Sequence, residues 1–314
     1  MYETDPFPFL SDQEPQVPAH LMRLATARPA PRVALVNAGA PVPLQGIREA
    51  AEAGLAEPIL LGDAARIAAA AEEIGWDIAG LPVIHAPDEA AGRAAAQMAR
   101  EGAADAVMKG QVHTSTFLKA LLPSSAGLRA KETRCGHVFH ITLPGRDRPL
   151  LLTDAALNVA PDVETRKQCL AYAARLAAIL GDPEIKAGIL AASEDVTPGI
   201  PSTGEAAEIA DWANATLPGV QVQGPMALDL IFSRAAAEVK GYEGPVPGEA
   251  DIVVVPEVTT GNAIFKLMVL GMAACAGGVV MGAKVPILLT SRSQRAPARI
   301  VTAALGAVLH EATA

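Results

Sequence analysis

Short apolar runs alternate with longer alanine-rich segments along most of this chain, and that alternation limits the folds open to it. RVALVNA, EPILLGD and ADAVMKG are short apolar runs bounded by breakers, as buried strands are. LQGIREAAEAGL and DEAAGRAAAQMAREG have the apolar spacing of amphipathic helices. Strands that alternate with helices across short polar joints form a parallel sheet with helices on both faces. The sequence therefore predicts a doubly wound α/β protein.

The alternation is interrupted where two apolar runs flank the turn-rich joint PGRDRP, which resembles a hairpin at a domain border. The chain has 314 residues, 51% of them hydrophobic, so it is long enough for two domains. We predict a first α/β domain over residues 1–148 and 284–314, with residues 1–16 as a loose arm. The second α/β domain spans residues 149–283, so the last strand and helix return to the first domain.

Charge and cysteine content exclude several classes of protein. A formal net charge of −9 argues against general binding to nucleic acid or anionic membranes, although a local positive cluster can still bind a small anion. The three cysteines form no CxxC pair, as is typical of buried thiols in a reducing compartment. The N-terminus has no signal-peptide pattern, and no apolar run reaches the ~18 residues of a membrane span. We expect a cytoplasmic protein without nucleic-acid or membrane partners.

The sequence indicates neither a metal site nor a nucleotide-binding loop. NAGAPVPLQG, after the first strand, has glycines at the wrong spacing for GxGxxG, and there is no P-loop. His137 and His140 are three apart in a strand-like run, so we expect a hairpin or core pair rather than metal ligands.

A basic turn, PILLTSRSQRAPAR, joins the last apolar run to the C-terminal helix. Ser291, Arg292, Arg295 and Arg299 lie where doubly wound sheets bind ligands, and a helix N-terminus attracts anions. Arginines add a planar fork that suits phosphate oxygens. The alternative is that Ser293 caps the helix and the arginines are solvated. Basic residues in a first helical turn oppose the helix dipole, which favours an anion partner.

The segment MKGQVHTST follows the strand-like run ADAV. Lys109 and Gly110 lie at the strand end, while His113 and Thr114 lie at the expected helix start. Gly110 lets the backbone approach a ligand, and Thr114 can cap the helix or hold a phosphate oxygen. Taken alone, this segment also fits an ordinary strand–turn–helix joint.

Two further loops, TDAALNVAPD and PEVTTGNAIFK, each follow a buried run. Asp154 and Asn158 come just past the first run, where they are either substrate-binding or simply turn-forming residues. Gly261 and Asn262 start a helix after the second run, and Lys266 lies on the same helix face as Asn262. That helix N-terminus is a second place for an anion.

Taken together, these segments resemble the phosphate acetyl/butyryltransferase family. The resemblance rests on MKGQVHT, LLTDAALNVAPD, GPMALD, ADIVVVPEVTTGNAIFK and GAKVPILLTSR, which occur in this order. It covers roughly residues 18–312 and is nearest to the butyryl-type enzymes and to the transferase half of hydratase–transferase fusions. It implies two α/β domains with the active site in the cleft between them, in a homodimer.

The resemblance also implies the reaction: a short acyl group moves between coenzyme A and inorganic phosphate. Coenzyme A is then a substrate, and no tightly bound cofactor is expected. Arg292 matches the family arginine that holds phosphate and stabilises charge on the acyl carbonyl oxygen, and Ser291 would bond the CoA sulfur or that oxygen. The thiolate attacks directly in a ternary complex, without an acyl-serine.

One departure from the family pattern leaves the general base open. Family members carry a carboxylate soon after Ser-Arg, whereas SQRAPAR has none. His113 or Glu257 could replace it, or the arginines could lower the pKa of the CoA thiol. The loss also motivates an alternative function, a non-catalytic protein that binds acyl-CoA or phosphate ligands. A decarboxylating dehydrogenase of related architecture is a third hypothesis, but no metal-binding aspartate cluster supports it.

Overall fold

The computed structural model describes residues 9–146, 148–289 and 296–313. These residues form two compact units. The first unit contains residues 14–135 and 275–313, and the second contains residues 9–13 and 136–274.

The first unit begins with one helix and then alternates strands with helices, as the sequence predicts. Its elements up to residue 126 are α1 (Ala19–Thr26), β1 (Arg32–Val36), α2 (Pro41–Glu52), β2 (Glu57–Gly62), α3 (Ala64–Glu73), β3 (Val83–His85), α4 (Glu89–Glu101), β4 (Ala106–Lys109), α5 (Thr114–Leu121) and a 3-10 turn at Ser124–Ala126. Local chemistry sets the helix ends: the Asp63 carboxylate accepts the Arg66 N–H at 3.0 Å before α3, and Gly102 ends α4 at φ 75°.

The second unit is built on an antiparallel pair followed by a parallel sheet. Its elements are β5 (Gly136–Thr142), β6 (Leu150–Thr153), α6 (Val163–Ile179), β7 (Ile185–Leu190), α7 (Pro201–Thr216), β8 (Val220–Met226), α8 (Leu228–Phe232), α9 (Arg234–Lys240), β9 (Ile252–Val254) and α10 (Val258–Gly271). The strands on either side of PGRDRP form the predicted hairpin, with Val138 opposite Thr153. Its sheet order is β5-β6-β9-β7-β8.

The chain then completes the first unit with β10 (Cys275–Met281), β11 (Ile287–Leu289) and α11 (Ala296–Thr313). β11 pairs parallel with β4 and antiparallel with β10, which gives the order β3-β2-β1-β4-β11-β10. The predicted borders near residues 148 and 284 differ from the limits of these units. β5 pairs with β6 and so belongs to the second unit, while β10 pairs with β11 and so belongs to the first.

Part of the predicted loose arm is held in place. The Ser11 N–H donates to the Leu270 carbonyl at 2.8 Å, and the Phe9 ring lies so close to Gly271 that a Cβ there would be 2.8 Å from it. Residues 9–13 therefore pack onto the end of α10.

In the described part of the chain, no helix is long and apolar enough to cross a membrane.

Candidate active site

The first unit has one point in its sheet where the order of the strands reverses. β1 is followed along the chain by β2 on one side, whereas β4 lies on its other side, with Val36 opposite Lys109. In open α/β sheets, ligands bind at the carboxyl ends of the strands that flank such a reversal. Lys109 and Gly110 come from the end of β4, so the structure places these two predicted residues at this position.

Gly110 is required by backbone packing at this point. Its N–H donates to the Val36 carbonyl at 2.9 Å, and the next N–H, that of Gln111, donates to the Asn37 carbonyl at 3.0 Å. A Cβ on Gly110 would overlap both carbonyl oxygens. The Lys109 side chain is 3% exposed, and its Nζ lies 3.4 Å from the Gly110 carbonyl oxygen. The loop thus holds the buried Lys109 ammonium group beside a close backbone contact that only a glycine at position 110 allows.

His113 and Thr114 open the next helix at the same end of β4. His113 is the N-cap position of α5, and Thr114 is its first helical residue. Both side chains are exposed. The predicted helix start is confirmed, and both side chains are accessible to a ligand.

The second unit reverses its strand order between β6 and β9. These neighbours are parallel, with Thr153 opposite Val254, yet the chain passes from β6 to β7 and β8 before it returns to β9. The loops that follow β6 and β9 therefore meet at the carboxyl edge of the sheet. The first loop contains the predicted residues Asp154 and Asn158, and the second leads into the first turn of α10, which contains the predicted residue Gly261.

The Asp154 carboxylate organises the loop after β6. It is 3% exposed and accepts the N–H groups of His137 at 3.0 Å, Ala156 at 3.0 Å and Leu157 at 2.9 Å. The Asn158 amide Nδ2 also donates to it, at 2.7 Å. Because these donors surround the carboxylate, the geometry favours the turn-forming role of Asp154 and Asn158 over direct substrate binding.

Gly261 brings α10 against this loop. A Cβ on Gly261 would be 2.7 Å from the Ala155 Cβ and 2.9 Å from its Cα. Asn262 follows half-buried, and Lys266 is exposed one turn later. The structure therefore packs the first turn of α10 against Ala155, which belongs to the same loop as Asp154 and Asn158.

Glu257 caps α10 rather than standing free as a base. Its carboxylate accepts the Thr259 N–H at 2.6 Å and the Thr260 N–H at 2.7 Å, and it also bonds the Thr260 hydroxyl. The bond from the Thr260 side chain, followed by the backbone donors, lowers the pKa of Glu257 to about 2. A carboxylate with so low a pKa is a weak base for a thiol.

Arg299 does not point outward as a ligand for CoA phosphates would. Its side chain is 15% exposed and packs over α2, where a Cβ on Gly46 would lie 2.7 Å from the Arg299 Cδ. Its Nη2 is 3.6 Å from the Glu49 carboxylate. The geometry therefore favours a packing role for Arg299 between α11 and α2.

Ser291, Arg292 and Arg295 lie outside the described residues. β11 ends at Leu289, just beyond the register positions that pair it with β4, and α11 begins at Ala296. Their roles stay predictions from the sequence.

His137 was not among the site residues that the sequence predicted, yet the structure places it beside the strand-order reversal of the second unit. It lies near the start of β5, its N–H binds Asp154, and its carbonyl accepts the Thr153 hydroxyl at 2.9 Å. Burial lowers the pKa of the fully buried imidazole to about 4, against the opposing effect of Asp154. The available signal was positional, because a strand antiparallel to β6 must begin where β6 ends.

Arg166 is a second buried basic residue that the sequence did not indicate. It is 1% exposed on α6, and its Nη1 donates to the Glu205 carboxylate of α7 at 3.0 Å. This pair joins two helices, so we interpret it as structural. Within the described ranges, no group of three or more His, Cys, Asp or Glu side chains could hold a metal ion.

Comparison with known proteins gives a consistent family. The model of the family described as phosphate acetyl/butaryl transferase matches residues 89–307, from α4 into α11. A phosphate acetyltransferase of Rhizobium meliloti is 38% identical over 267 residues, which cover 84% of this chain and 84% of that protein. A phosphate butyryltransferase of Clostridium acetobutylicum is 34% identical over 268 residues, 85% of this chain and 89% of that protein.

A solved structure is similar over nearly the same extent. The crystal structure of a branched-chain phosphotransacylase from Enterococcus faecalis V583 superposes with a TM-score of 0.76 at 30% identity. The superposition covers 89% of this chain and 98% of that one. The α/β fold is therefore shared with this phosphotransacylase.

Proposed function

Because this chain belongs to the phosphate acetyl/butyryl transferase family, we propose that it transfers a short acyl group between coenzyme A and inorganic phosphate. In one direction, a phosphate oxygen attacks the thioester carbonyl, a C–O bond forms and the C–S bond breaks. In the other, the CoA thiolate attacks an acyl phosphate, and phosphate leaves. Both directions pass through a tetrahedral intermediate with negative charge on the carbonyl oxygen.

The observation that carries this proposal is the family match across both units, joined to the position of the matched loops. The loop after β4 in the first unit and the loops after β6 and β9 in the second all lie at strand-order reversals. Such positions suit anionic ligands, because helix N-termini and backbone N–H groups collect there.

We assign roles to the predicted residues within this proposal. Arg292 holds phosphate and stabilises the carbonyl oxygen, and Ser291 bonds the CoA sulfur or that oxygen. Lys109 contributes positive charge beside Gly110. The proposal includes a homodimer and CoA as a substrate rather than a resident cofactor.

His113 is the better remaining candidate for the general base, because the Glu257 carboxylate is committed to the α10 cap. His113 is exposed at the start of α5. The alternative is a thiol whose pKa is lowered by nearby arginines, which needs no dedicated base. The pH profile of kcat/KM separates these two, because His113→Asn would change the shape of the profile only if His113 is the base.

The test is CoA release from acetyl-, propionyl-, butyryl- and isobutyryl-CoA, with and without phosphate, with the acyl phosphate trapped by hydroxylamine. We expect turnover only with phosphate. Tight binding of acyl-CoA without turnover would support the non-catalytic alternative.

Arg292→Ala is the matching variant for this assay. We expect turnover to fall by orders of magnitude, because a charge-stabilising donor at such a site contributes ~3–4 kcal/mol to the barrier. An Arg292→Ala protein with nearly full activity would mean that the reacting centre lies elsewhere.

A further inference from the structure

His137 lies on the edge of the second unit that carries the proposed binding loops. Gly136 faces α6, since a Cβ there would be 2.6 Å from the Cys169 sulfur. Side chains alternate along a strand, so the His137 ring points to the other face of the sheet. There its ring meets Phe139 edge-on at 4.3 Å between centroids, and Phe139 stacks on Phe265 of α10 at 3.9 Å.

The imidazole is buried without the hydrogen bonds that a buried imidazole needs. Its exposure is 0%, and neither Nδ1 nor Nε2 has a partner among the residues that the structure describes. A buried donor or acceptor that is left unsatisfied destabilises the folded state. Such a group calls for an explanation other than stability, and a polar ligand that completes its hydrogen bonds is one.

The surroundings of the His137 ring indicate which kind of ligand atom it can bind. Burial keeps the imidazole neutral near pH 7, so one nitrogen is a donor and the other an acceptor. A phosphate dianion favours charged partners, whereas the carbonyl oxygen of a thioester is an uncharged acceptor that suits a neutral N–H beside aromatic rings.

We propose that the His137 imidazole donates a hydrogen bond to the carbonyl oxygen of the bound acyl group, an inference that rests on the proposed acyl transfer. When the phosphate oxygen bonds to the carbonyl carbon, negative charge builds on that oxygen, and the His137 N–H stabilises it. The C–S bond then breaks and the CoA thiolate leaves. His137 keeps its proton throughout, so it acts as an electrophilic donor and not as the base.

The first test compares three variants in the acyl-CoA assay. His137→Phe keeps a ring of similar size against Phe139 but removes both nitrogens. His137→Gln restores an N–H donor. His140→Phe is the matched control, because His140 is a buried histidine of the same strand on the opposite face.

We expect His137→Phe to lower kcat for butyryl-CoA by roughly 100-fold, with the KM for phosphate unchanged. Its melting temperature should equal or exceed that of the wild type, because unsatisfied polar atoms have been removed. His137→Gln should recover part of the loss, and His140→Phe should keep the wild-type kcat per folded enzyme. A structural role predicts instead that activity and melting temperature fall together without rescue, which would overturn the proposal.

The second test needs no variant of His137 to be active. In wild-type protein labelled with ¹⁵N-histidine, butyryl-CoA without phosphate should shift one ring-nitrogen resonance of His137, assigned by its absence in His137→Gln. No shift with butyryl-CoA, or a shift with inorganic phosphate alone, would overturn the proposal. The wild-type assay keeps the two claims apart: an inactive wild type refutes the acyl transfer, whereas an active wild type matched by His137→Phe refutes only the role of His137.

Discussion

In the first unit, the Arg299 side chain packs directly against Gly46. Gly46 lies inside α2, where alanine is favoured over glycine by about 0.5–1 kcal/mol. The Arg299 stem occupies the position of the missing methyl group, since a Cβ on Gly46 would be 2.9 Å from the Arg299 Nε. The glycine therefore accommodates an arginine that the sequence pattern assigned to ligand binding.

The effect of Gly46→Ala should thus depend on Arg299. With Arg299 present, we expect destabilisation of about 1–3 kcal/mol, because the side chain must move from Gly46 and from Glu49. In an Arg299→Ala background, the same change should stabilise the protein by about 0.5–1 kcal/mol. Urea unfolding of the four proteins measures the coupling. Additive effects would show that the two side chains do not compete.

Glu257 should make the protein more sensitive to acid. Its pKa is about 2 in the folded state because of the Thr260 and backbone donors, below the ordinary value of 4.5. The lowered pKa means that its stabilisation is complete above pH 4.5 and is lost as the pH falls toward 2. Glu257→Gln keeps an acceptor for the cap but does not titrate.

We therefore expect Glu257→Gln to be less stable than the wild type at pH 7, with a difference that shrinks below pH ~4.5. Thermal unfolding at several pH values from 7 to 3 measures this difference. Asp63→Asn is a useful comparison, because Asp63 caps α3 in the same way in the other unit. A wild-type advantage that stays constant over this range would contradict the assignment of Glu257 as an ionised cap.

At the scale of an element, α10 is held against the loop after β6 by its first turn. Gly261→Ala inserts a methyl group against Ala155 and Val255, at 2.7 and 2.9 Å. Gly204 of α7 is the matched control, because a Cβ there meets no atom within 4 Å. Both changes carry the same gain in helix propensity.

We expect Gly204→Ala to stabilise the protein by about 0.5–1 kcal/mol and to leave kcat/KM unchanged. Gly261→Ala should destabilise it by about 1–3 kcal/mol and lower kcat/KM, because α10 must move away from the Asp154 loop. Chemical unfolding and the acyl-CoA assay report the two effects. Equal stability changes for both variants would mean that α10 is not fixed by this contact.

Helices and strands with a clear hydrophobic period could be predicted from the sequence, and those without such a period could not. The apolar stretch NAIFKLMVLGMAACAG is one run in the sequence, but α10 ends within it at Gly271, Ala273 has φ 52°, and Cys275 starts β10. A continuous small apolar run has no period that marks this change, so pairing with β11 decides it.

Some features of the candidate site could likewise be predicted from the sequence, and others could not. Gly110 and Gly261 could be placed from the sequence, because a glycine at a strand–helix joint signals close backbone approach. The direction of the Arg299 side chain could not, since it depends on the space left by Gly46 of a distant helix. The role proposed for His137 could not be predicted from the sequence, because it rests on a ring that has no partner among the described residues, and this property exists only after the strands pair.

At the scale of the molecule, the same rule locates the proposed site in both units. Each unit has one strand-order reversal beside its proposed binding loops, between β1 and β4 in the first unit and between β6 and β9 in the second. The family match extends across both. The predicted cleft between domains stays a prediction.

The remaining question at this scale is assembly, and α10 offers the surface for the proposed homodimer. Of the apolar stretch KLMVLGMAACAGGVVMG, the part in β10 is wholly buried, whereas Leu267 and Met272 are 44% and 48% exposed. A two-fold interface presents the same patch twice, so one charged residue there acts twice. Leu267→Glu should therefore convert a dimer into a monomer.

Size-exclusion chromatography with light scattering at micromolar concentration measures the outcome. We expect a wild-type dimer and a folded Leu267→Glu monomer. Val239→Glu on α9 is the control, because Val239 is also an exposed apolar residue but lies outside the KLMVLGMAACAGGVVMG stretch, so its replacement should leave the dimer intact. A wild-type monomer would contradict the proposed homodimer. A Leu267→Glu protein that is still a dimer would instead show that the interface does not include Leu267. The reason is that the substitution would place two unpaired carboxylates in a two-fold contact, and burying unpaired charges strongly destabilises an interface.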